Sequence, residues 1–249
     1  MTDVVLLFVI GWATAFATGL GAIPVFFLGE RAAAYEPGLT GFAAGLMGVA
    51  AIVGLLMPAF DDGSTAVVVG STIVGVVFLL GTGALVRARD EHVAAERALG
   101  PSAQRSLLVV LVLFVHSFPE GLAIGTAYAS SREGLGLFVI LAVALQNVPE
   151  GTATALPMAA AGYSRSRQFW AAVLTSVPQP FAAVGAFLLV DQVTALLPAS
   201  FAFAAGAMLA LVVFDLIPES FTREGWRLAT VGFAAGGGLM LALSALLGV

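Results

Sequence analysis

Long apolar segments separated by short polar breaks run along the whole chain. We count eight of them, at residues 4–28, 38–60, 65–86, 106–129, 135–160, 168–190, 198–218 and 228–248. A helix needs about 20 apolar residues to cross the hydrocarbon core of a bilayer. The pattern therefore predicts an all-α, polytopic membrane protein with eight transmembrane helices, and we expect residues 1–249 to form a single transmembrane domain.

Composition supports a membrane protein in contact with lipid over most of its length. Hydrophobic residues make up 60% of the chain and charged residues only 10%, against about 25% charged residues in a typical soluble domain. The net charge of -5 argues against nucleic acid as a partner. The chain has no cysteine, which excludes disulfides, thiolate metal ligands and thiol nucleophiles.

The arginines between the segments predict how the chain is oriented in the membrane. If the loops alternate between two sides, one side holds nine arginines and the other holds only Arg132. Cytoplasmic loops are enriched in basic residues, so we expect a multi-pass protein of the cell membrane with both termini extracytoplasmic. The longest loop, at about residues 87–105, is then cytoplasmic. We interpret this loop as a solvated surface helix, in preference to a metal contact through His92. The nine arginines on the predicted cytoplasmic side are Arg31, Arg87, Arg89, Arg97, Arg105, Arg165, Arg167, Arg223 and Arg227.

Two matching motifs, HSFPEG at 116–121 and QNVPEG at 146–151, lie in the middle of the fourth and fifth segments. His116 and Glu120 are four residues apart, as are Gln146 and Glu150, so each pair shares one helix face. A charge at the bilayer centre costs at least about 2.5 kcal/mol, and an interior proline removes a helix hydrogen bond. Matching motifs on antiparallel neighbours are typical of a site between inverted repeats.

The buried carboxylates need protons or a bound cation to remain in the membrane. Two carboxylates, one imidazole and one amide oxygen from two helices suit Zn²⁺ and its first-row neighbours, whereas Ca²⁺ prefers six to eight oxygen ligands. The sequence therefore predicts a metal site at His116, Glu120, Gln146 and Glu150. The alternatives are two ordinary proline kinks and a buried histidine with structural hydrogen bonds.

The segments HSFPEGLAIG and QNVPEGTATALPM resemble the fourth and fifth helices of the ZIP family of divalent-metal transporters, and glutamine at position 146 is similar to the GufA-type branch. GFAAGLMGVAAIVGLLMPA (41–59) and AFAAGAMLALVVFDLIPES (202–220) resemble the second and seventh helices. The resemblance implies a three-two-three inverted repeat and uptake of Zn²⁺ into the cytoplasm by alternating access, through the same four ligands. Fe²⁺, Mn²⁺, Co²⁺ and Cd²⁺ could share these ligands.

The resemblance also places a second metal position beside the first, at Ser117, Asn147 and Gln179. All three side chains are neutral here, so we expect one bound metal with these residues as polar surroundings; for Gln179, bonding to backbone freed by the neighbouring prolines is the alternative. Asp215 and Glu219, four residues apart at the end of the seventh segment, are a candidate exit path or, alternatively, ordinary interfacial carboxylates.

Other functions fit the residues less well. The zinc-protease motif H-E-x-x-H is absent, and the adjacent residues His116 and Ser117 point in different directions on a helix, so we expect no enzyme. A proton- or sodium-coupled carrier of another solute could use the same buried carboxylates. A passive channel with this site and an assembly of two copies both stay open.

Overall fold

The computed structural model describes residues 1–97, 101–222 and 224–249, with side chains for all of these except Glu30 and residues 90–102. His92 and most of the predicted loop 87–105 therefore have side chains outside the described residues. Within them the chain is helical without strands, and eight helices are long and apolar enough to cross a membrane. They are α1 Thr2–Leu28, α2 Arg31–Asp62, α3 Thr65–Arg89, α4 Ala103–Ala129, α5 Leu135–Ala160, α6 Arg165–Gln192, α7 Thr194–Ser220 and α8 Trp226–Leu247. The all-α prediction with eight spans is confirmed.

The helices next to the predicted long loop extend further than their apolar segments. The helix of α3 continues to Arg97, and the helix of α4 begins at Pro101. The charged, alanine-rich sequence after Arg87 favours helix because its residues have high helix propensity. The described backbone of segment 87–105, which we interpret from the sequence as a surface helix, is helical on both sides of residues 98–100.

The two motif prolines do not interrupt their helices. Pro119 and Pro149 lie inside helices that continue through them, Pro101–Ala129 and Leu135–Ala160. The interruptions occur elsewhere: α1 has a break at Ala22, just before Pro24, and α6 has one at Ser176 and Val177, just before Pro178. In both cases the proline starts the second part of the helix, where its missing N–H costs nothing.

The packing of the helices follows the predicted inverted repeat. In such a repeat, α1 corresponds to α6, α2 to α7, α3 to α8 and α4 to α5. When the labels are exchanged in this way, each main helix–helix contact becomes a contact that is also observed. The contact of α1 with α5 becomes that of α6 with α4, and the contact of α2 with α8 becomes that of α7 with α3. Helices α4 and α5 contact each other and lie at the centre, as predicted.

The repeat extends to an irregular turn shared by α2 and α7. Each contains a π-helical stretch, Ala50–Leu56 in α2 and Val212–Leu216 in α7. Each stretch is followed by a short helix with a proline in its first turn, Pro58 and Pro218. A proline disturbs the hydrogen bonds of the preceding turn, and a wider turn can absorb this disturbance. Such π-helical turns occur frequently at functional sites.

The glycine of each motif allows a neighbouring helix to reach backbone contact. A Cβ atom on Gly151 would lie 1.7 Å from the carbonyl oxygen of Thr18 in α1, and one on Gly121 would lie 2.5 Å from the carbonyl oxygen of Gln179 in α6. Larger residues would separate these helix pairs. Helix α5 is thus packed closely on α1, and α4 on α6.

Candidate metal site

Helices α4 and α5 bring the two motif carboxylates together in the interior. Glu120 is fully buried and Glu150 is 4% exposed. The Gln146 side chain donates from Nε2 to Glu120 Oε1 at 2.6 Å, and the Glu120 and Glu150 carboxyl groups lie within hydrogen-bonding reach of each other. Three of the four predicted ligands therefore form one cluster between the two central helices.

His116, the fourth predicted ligand, lies at the edge of this cluster. It is 3% exposed, and its Nε2 atom is 3.9 Å from Asp215 Oδ2 on α7. Among the residues that the structure describes, no group of three or more His, Asp or Glu side chains is arranged to hold a metal ion by itself. A complete set of ligands needs the Gln146 oxygen as well, and the ligand role of all four residues stays a prediction.

The unpartnered polar atoms of the interior are concentrated in these predicted ligands. In the described part of the chain, five buried side-chain nitrogen or oxygen atoms lack a hydrogen-bond partner. Three of them are His116 Nδ1, Gln146 Oε1 and Glu150 Oε1. An unsatisfied buried polar atom costs about 1–3 kcal/mol. A cation carried as cargo would give these oxygen and nitrogen lone pairs a partner, so the donor set fits a divalent transition metal.

A cavity of about 190 Å³ leads from one end of the bundle to the cluster. His116 and Glu150 line its inner part, and Glu36, Arg105 and Glu219 line its outer part. These outer residues come from the starts of α2 and α4 and from the end of α7. The cavity therefore lies on the side where the sequence places nine of the ten arginines.

Asp215 lies between the cluster and the outer part of the cavity. Its Oδ2 atom is 3.9 Å from His116 Nε2, and its Oδ1 atom is 3.7 Å from Arg87 Nη1 at the end of α3. The π-helical turn Val212–Leu216 contains Asp215, and both Asp215 and Glu219 line the cavity. The predicted exit pair thus lies along a cavity that His116 also lines.

Ser117, Asn147 and Gln179 surround Glu120 as neutral neighbours. Gln179 donates from Nε2 to Glu120 Oε2 at 2.7 Å, and Ser117 is buried three residues before Glu120 on α4. The hydrogen bonds of the Gln179 amide go to the side chains of Thr14, Asn147 and Glu120. The alternative, in which Gln179 bonds backbone freed by Pro178 and Pro180, is therefore not observed.

Three residues near the site were not predicted from the sequence as parts of it. Thr14 of α1 bonds both Asn147 and Gln179, Glu36 lines the outer cavity, and Arg87 pairs with Asp215. Thr14 and Thr18, four residues apart in an apolar segment, form a polar stripe that could have identified α1 as a neighbour of the site. In the sequence, Glu36 and Arg87 only indicate where apolar segments begin and end, so they could not be assigned to the site.

At the opposite end of the bundle, the end of α2 and the loop before α5 form a charged contact. Arg132, between α4 and α5, donates from Nη1 to Asp61 Oδ2 at 3.1 Å and from Nη2 to Asp62 Oδ1 at 2.9 Å. The hydrogen bond that Arg132 donates to Asp62, with the charge of both carboxylates, raises the pKa of Arg132. This guanidinium, which is alone on its side in the sequence, thus connects the end of α2 with the loop before α5.

Comparison with known proteins gives a consistent result. The family model of the ZIP zinc transporter matches residues 86–244. Zinc transporter GufA of Myxococcus xanthus is 35% identical over 248 residues, which is 93% of this chain and 95% of that protein. Zinc transporter ZIPB of Bordetella bronchiseptica is 36% identical over 96% of this chain and 81% of its own length. A longer protein of Arabidopsis thaliana is 36% identical over 84% of this chain, but the match spans only 33% of that protein.

The sequence motifs, the eight spans and the exchange symmetry of the packing agree with these similarities. The relatives are zinc transporters, which are not enzymes, so a divalent metal ion is the substrate class and a membrane is the setting. The chain belongs to the ZIP zinc transporter family.

Proposed function

We propose that this chain moves Zn²⁺ across the cell membrane into the cytoplasm, with His116, Glu120, Gln146 and Glu150 as its ligands. The observation that carries the proposal is a buried pair of carboxylates at the end of a cavity, with unpartnered atoms on the adjacent ligands. Within the described residues neither carboxylate forms an ion pair with arginine. A dication supplies the missing charge.

The proposed orientation follows from the arginine-rich end of the bundle. If that end is cytoplasmic, both termini are extracytoplasmic and the cavity opens toward the cytoplasm. The structure would then correspond to an inward-facing state of a single transporter domain. The α2–α3 and α4–α5 connections, joined by Arg132, would close the extracytoplasmic end.

Alternating access requires the site to be exposed to the two sides in turn. The sequence alone predicts that α4 and α5 move relative to the six other helices. The packing in the structure leads us to extend the moving group. The close packing at Gly121 and Gly151 links α4 to α6 and α5 to α1, so we propose that these four helices move together. The moving contacts are then those of α5 with α2 and of α4 with α7.

The proposed exit route runs from His116 to Asp215 and then to Glu219. Because His116 Nε2 and Asp215 Oδ2 are 3.9 Å apart, an ion could exchange one ligand for the other over a short distance. Arg87 contacts the same carboxylate, so it competes with the ion at Asp215. Such competition limits how tightly Asp215 binds the ion, so that the ion can be released to the cytoplasm.

Uptake of radiolabelled Zn²⁺ by proteoliposomes tests this function. We expect saturable uptake by the wild type, because a carrier with one site saturates, whereas a passive channel gives flux with weaker temperature dependence. Glu120→Gln and Glu150→Gln should each remove most of the uptake, since each deletes half of the local negative charge. Glu133→Gln is the control, because Glu133 is exposed in the loop before α5.

Uptake at the wild-type level in both Glu120→Gln and Glu150→Gln would contradict the proposal. Competition by unlabelled Fe²⁺, Mn²⁺, Co²⁺ and Cd²⁺ ranks the metals that share these ligands. A proton- or sodium-coupled carrier of another solute would show no saturable Zn²⁺ uptake, so the same assay separates the two functions.

A further inference from the structure

Thr14 is the residue of α1 that joins the hydrogen bonds around Glu120. It is 2% exposed, and its hydroxyl lies 2.8 Å from Gln179 Oε1 and 2.8 Å from the carbonyl oxygen of Gly11. Its own carbonyl oxygen accepts a hydrogen bond from Asn147 Nδ2 at 2.7 Å. Both polar groups of Thr14 therefore face the neutral side chains that border the proposed metal site.

These bonds fix which way the two amide side chains point. A backbone carbonyl can only accept a hydrogen bond, so the atom of Asn147 that faces Thr14 must be the nitrogen. The same nitrogen has a second hydrogen, which it donates to Gln179 Oε1 at 3.1 Å. The single hydrogen of the Thr14 hydroxyl is shared between the Gly11 carbonyl oxygen and Gln179 Oε1. With Asn147 as the second donor at Gln179 Oε1, the nitrogen of Gln179 is directed toward Glu120.

The orientation of Gln179 in turn holds the Glu120 carboxylate. Gln179 Nε2 donates to Glu120 Oε2 at 2.7 Å, while Gln146 Nε2 donates to Glu120 Oε1 at 2.6 Å. With the Gln179 amide reversed, its oxygen would face a carboxylate oxygen at the same distance, which is repulsive when the carboxyl is ionised. A hydrogen-bonded chain therefore runs from Thr14 through Gln179 to Glu120.

We propose that Thr14 is a positioning residue of the metal site: its hydroxyl and carbonyl orient Asn147 and Gln179 so that Gln179 holds Glu120 in place for a divalent transition metal. This inference rests on the proposed function, because Glu120 is taken as a ligand. It assigns α1 a direct part in arranging the site. Thr14 itself is not a ligand.

Thr18 provides a matched control on the same helix. It is also a buried threonine of α1, and its hydroxyl lies 2.6 Å from Ser176 Oγ on α6. Unlike Thr14, it does not hydrogen-bond the described side chains of Asn147, Gln179 or Glu120. Replacement of either threonine by valine removes one hydroxyl and keeps the shape, so the two variants differ mainly in the connection to Glu120.

Calorimetric titration of the purified full-length protein with Zn²⁺ tests the proposal. We expect Thr14→Val to raise the dissociation constant about threefold to tenfold, the effect of losing one neutral hydrogen bond. Thr18→Val should stay within about twofold of the wild type, although both valine variants should lower the melting temperature. Thr14→Ser should restore wild-type affinity. In a Gln179→Leu background, Thr14→Val should have no further effect on affinity, because the chain is already broken.

Three results would overturn the proposal: unchanged affinity in Thr14→Val, equal loss in Thr18→Val, or the same loss in the Gln179→Leu background. If Thr14→Val does not fold, Thr14→Ala against Thr18→Ala gives the same comparison. The two levels of inference remain distinguishable, because a failure of the wild type to bind Zn²⁺ rejects the proposed function and this inference together. Wild-type binding with an unaffected Thr14→Val rejects only the role of Thr14.

Discussion

The strongest prediction concerns the number of ions, and it is tested by Gln179→Glu. In the native chain Gln179 Nε2 lies 2.7 Å from Glu120 Oε2, where it donates a hydrogen bond and adds no charge. The substitution replaces this donor with a carboxylate oxygen. Its other oxygen keeps two donors, the Thr14 hydroxyl and Asn147 Nδ2. The new charge can therefore be held, but it faces Glu120 directly.

The magnitude follows from the charges. Two unit charges about 4 Å apart repel by about 4 kcal/mol at an effective dielectric constant of 20, and protonation of one carboxyl group limits this cost. The lost hydrogen bond to a charged group adds about 1.5–3 kcal/mol. Without metal, Gln179→Glu should therefore be less stable than Gln179→Met, which loses the same hydrogen bond without adding charge. A second dication between the carboxylates replaces their repulsion with attraction, because each carboxylate then faces a positive charge.

Calorimetric titration with Zn²⁺ and thermal unfolding measure both consequences. We expect about one ion for the wild type and for Gln179→Met, and about two for Gln179→Glu. Excess Zn²⁺ should recover most of the melting temperature lost in Gln179→Glu. Two ions in the native chain would refute the charge argument, since neutral side chains would then suffice for the second position. One ion in the variant would refute the placement of Gln179.

Three further predictions follow. Zn²⁺ affinity should rise between about pH 5 and 7.5, because metal binding requires ionised carboxylates and neutral imidazole; a flat titration would contradict this. Arg87→Gln should slow Zn²⁺ release in stopped-flow measurements by leaving Asp215 to the ion, whereas Arg89→Gln, also exposed on α3, should not. Gly151→Ala should lower the melting temperature strongly and Gly70→Ala only slightly, because a Cβ at position 151 meets backbone and one at position 70 meets nothing within 4 Å. Equal losses in these glycine variants would contradict the packing.

Much of the fold could be predicted from the sequence because lipid imposes simple rules. Each span needs an apolar segment of fixed length, so the eight segments correspond to α1–α8 with shifts of a few residues. The motif carboxylates could also be identified as candidate site residues, since an unpaired charge in an apolar segment requires a partner. Glu120, Gln146 and Glu150 meet because equal positions on two antiparallel central helices come together near the middle of the membrane.

Details that depend on tertiary packing could not be predicted. The i, i+4 spacing places His116 on the face of Glu120, but contact with Asp215 depends on where α7 lies and on its π-helical turn. The prolines of the motifs gave no sign of whether the helix would continue through them. The contact of Thr14 with Gln179 could not be predicted, because only the close packing of α1 against α5 and α6 brings the two side chains together.

The contact of Arg132 with Asp61 and Asp62 has a consequence for how the two ends of the bundle respond to salt. These groups are between one third and two thirds exposed, so each pair contributes only about 0.2–1 kcal/mol. Between 0.1 M and 1 M salt the Debye length falls from about 10 Å to about 3 Å, which weakens this contact. The backbone contacts at Gly121 and Gly151 carry no charge and keep their strength. Ionic strength therefore weakens the contact between the end of α2 and the loop before α5, without a ligand and without a change in the helix pairs that hold the carboxylates.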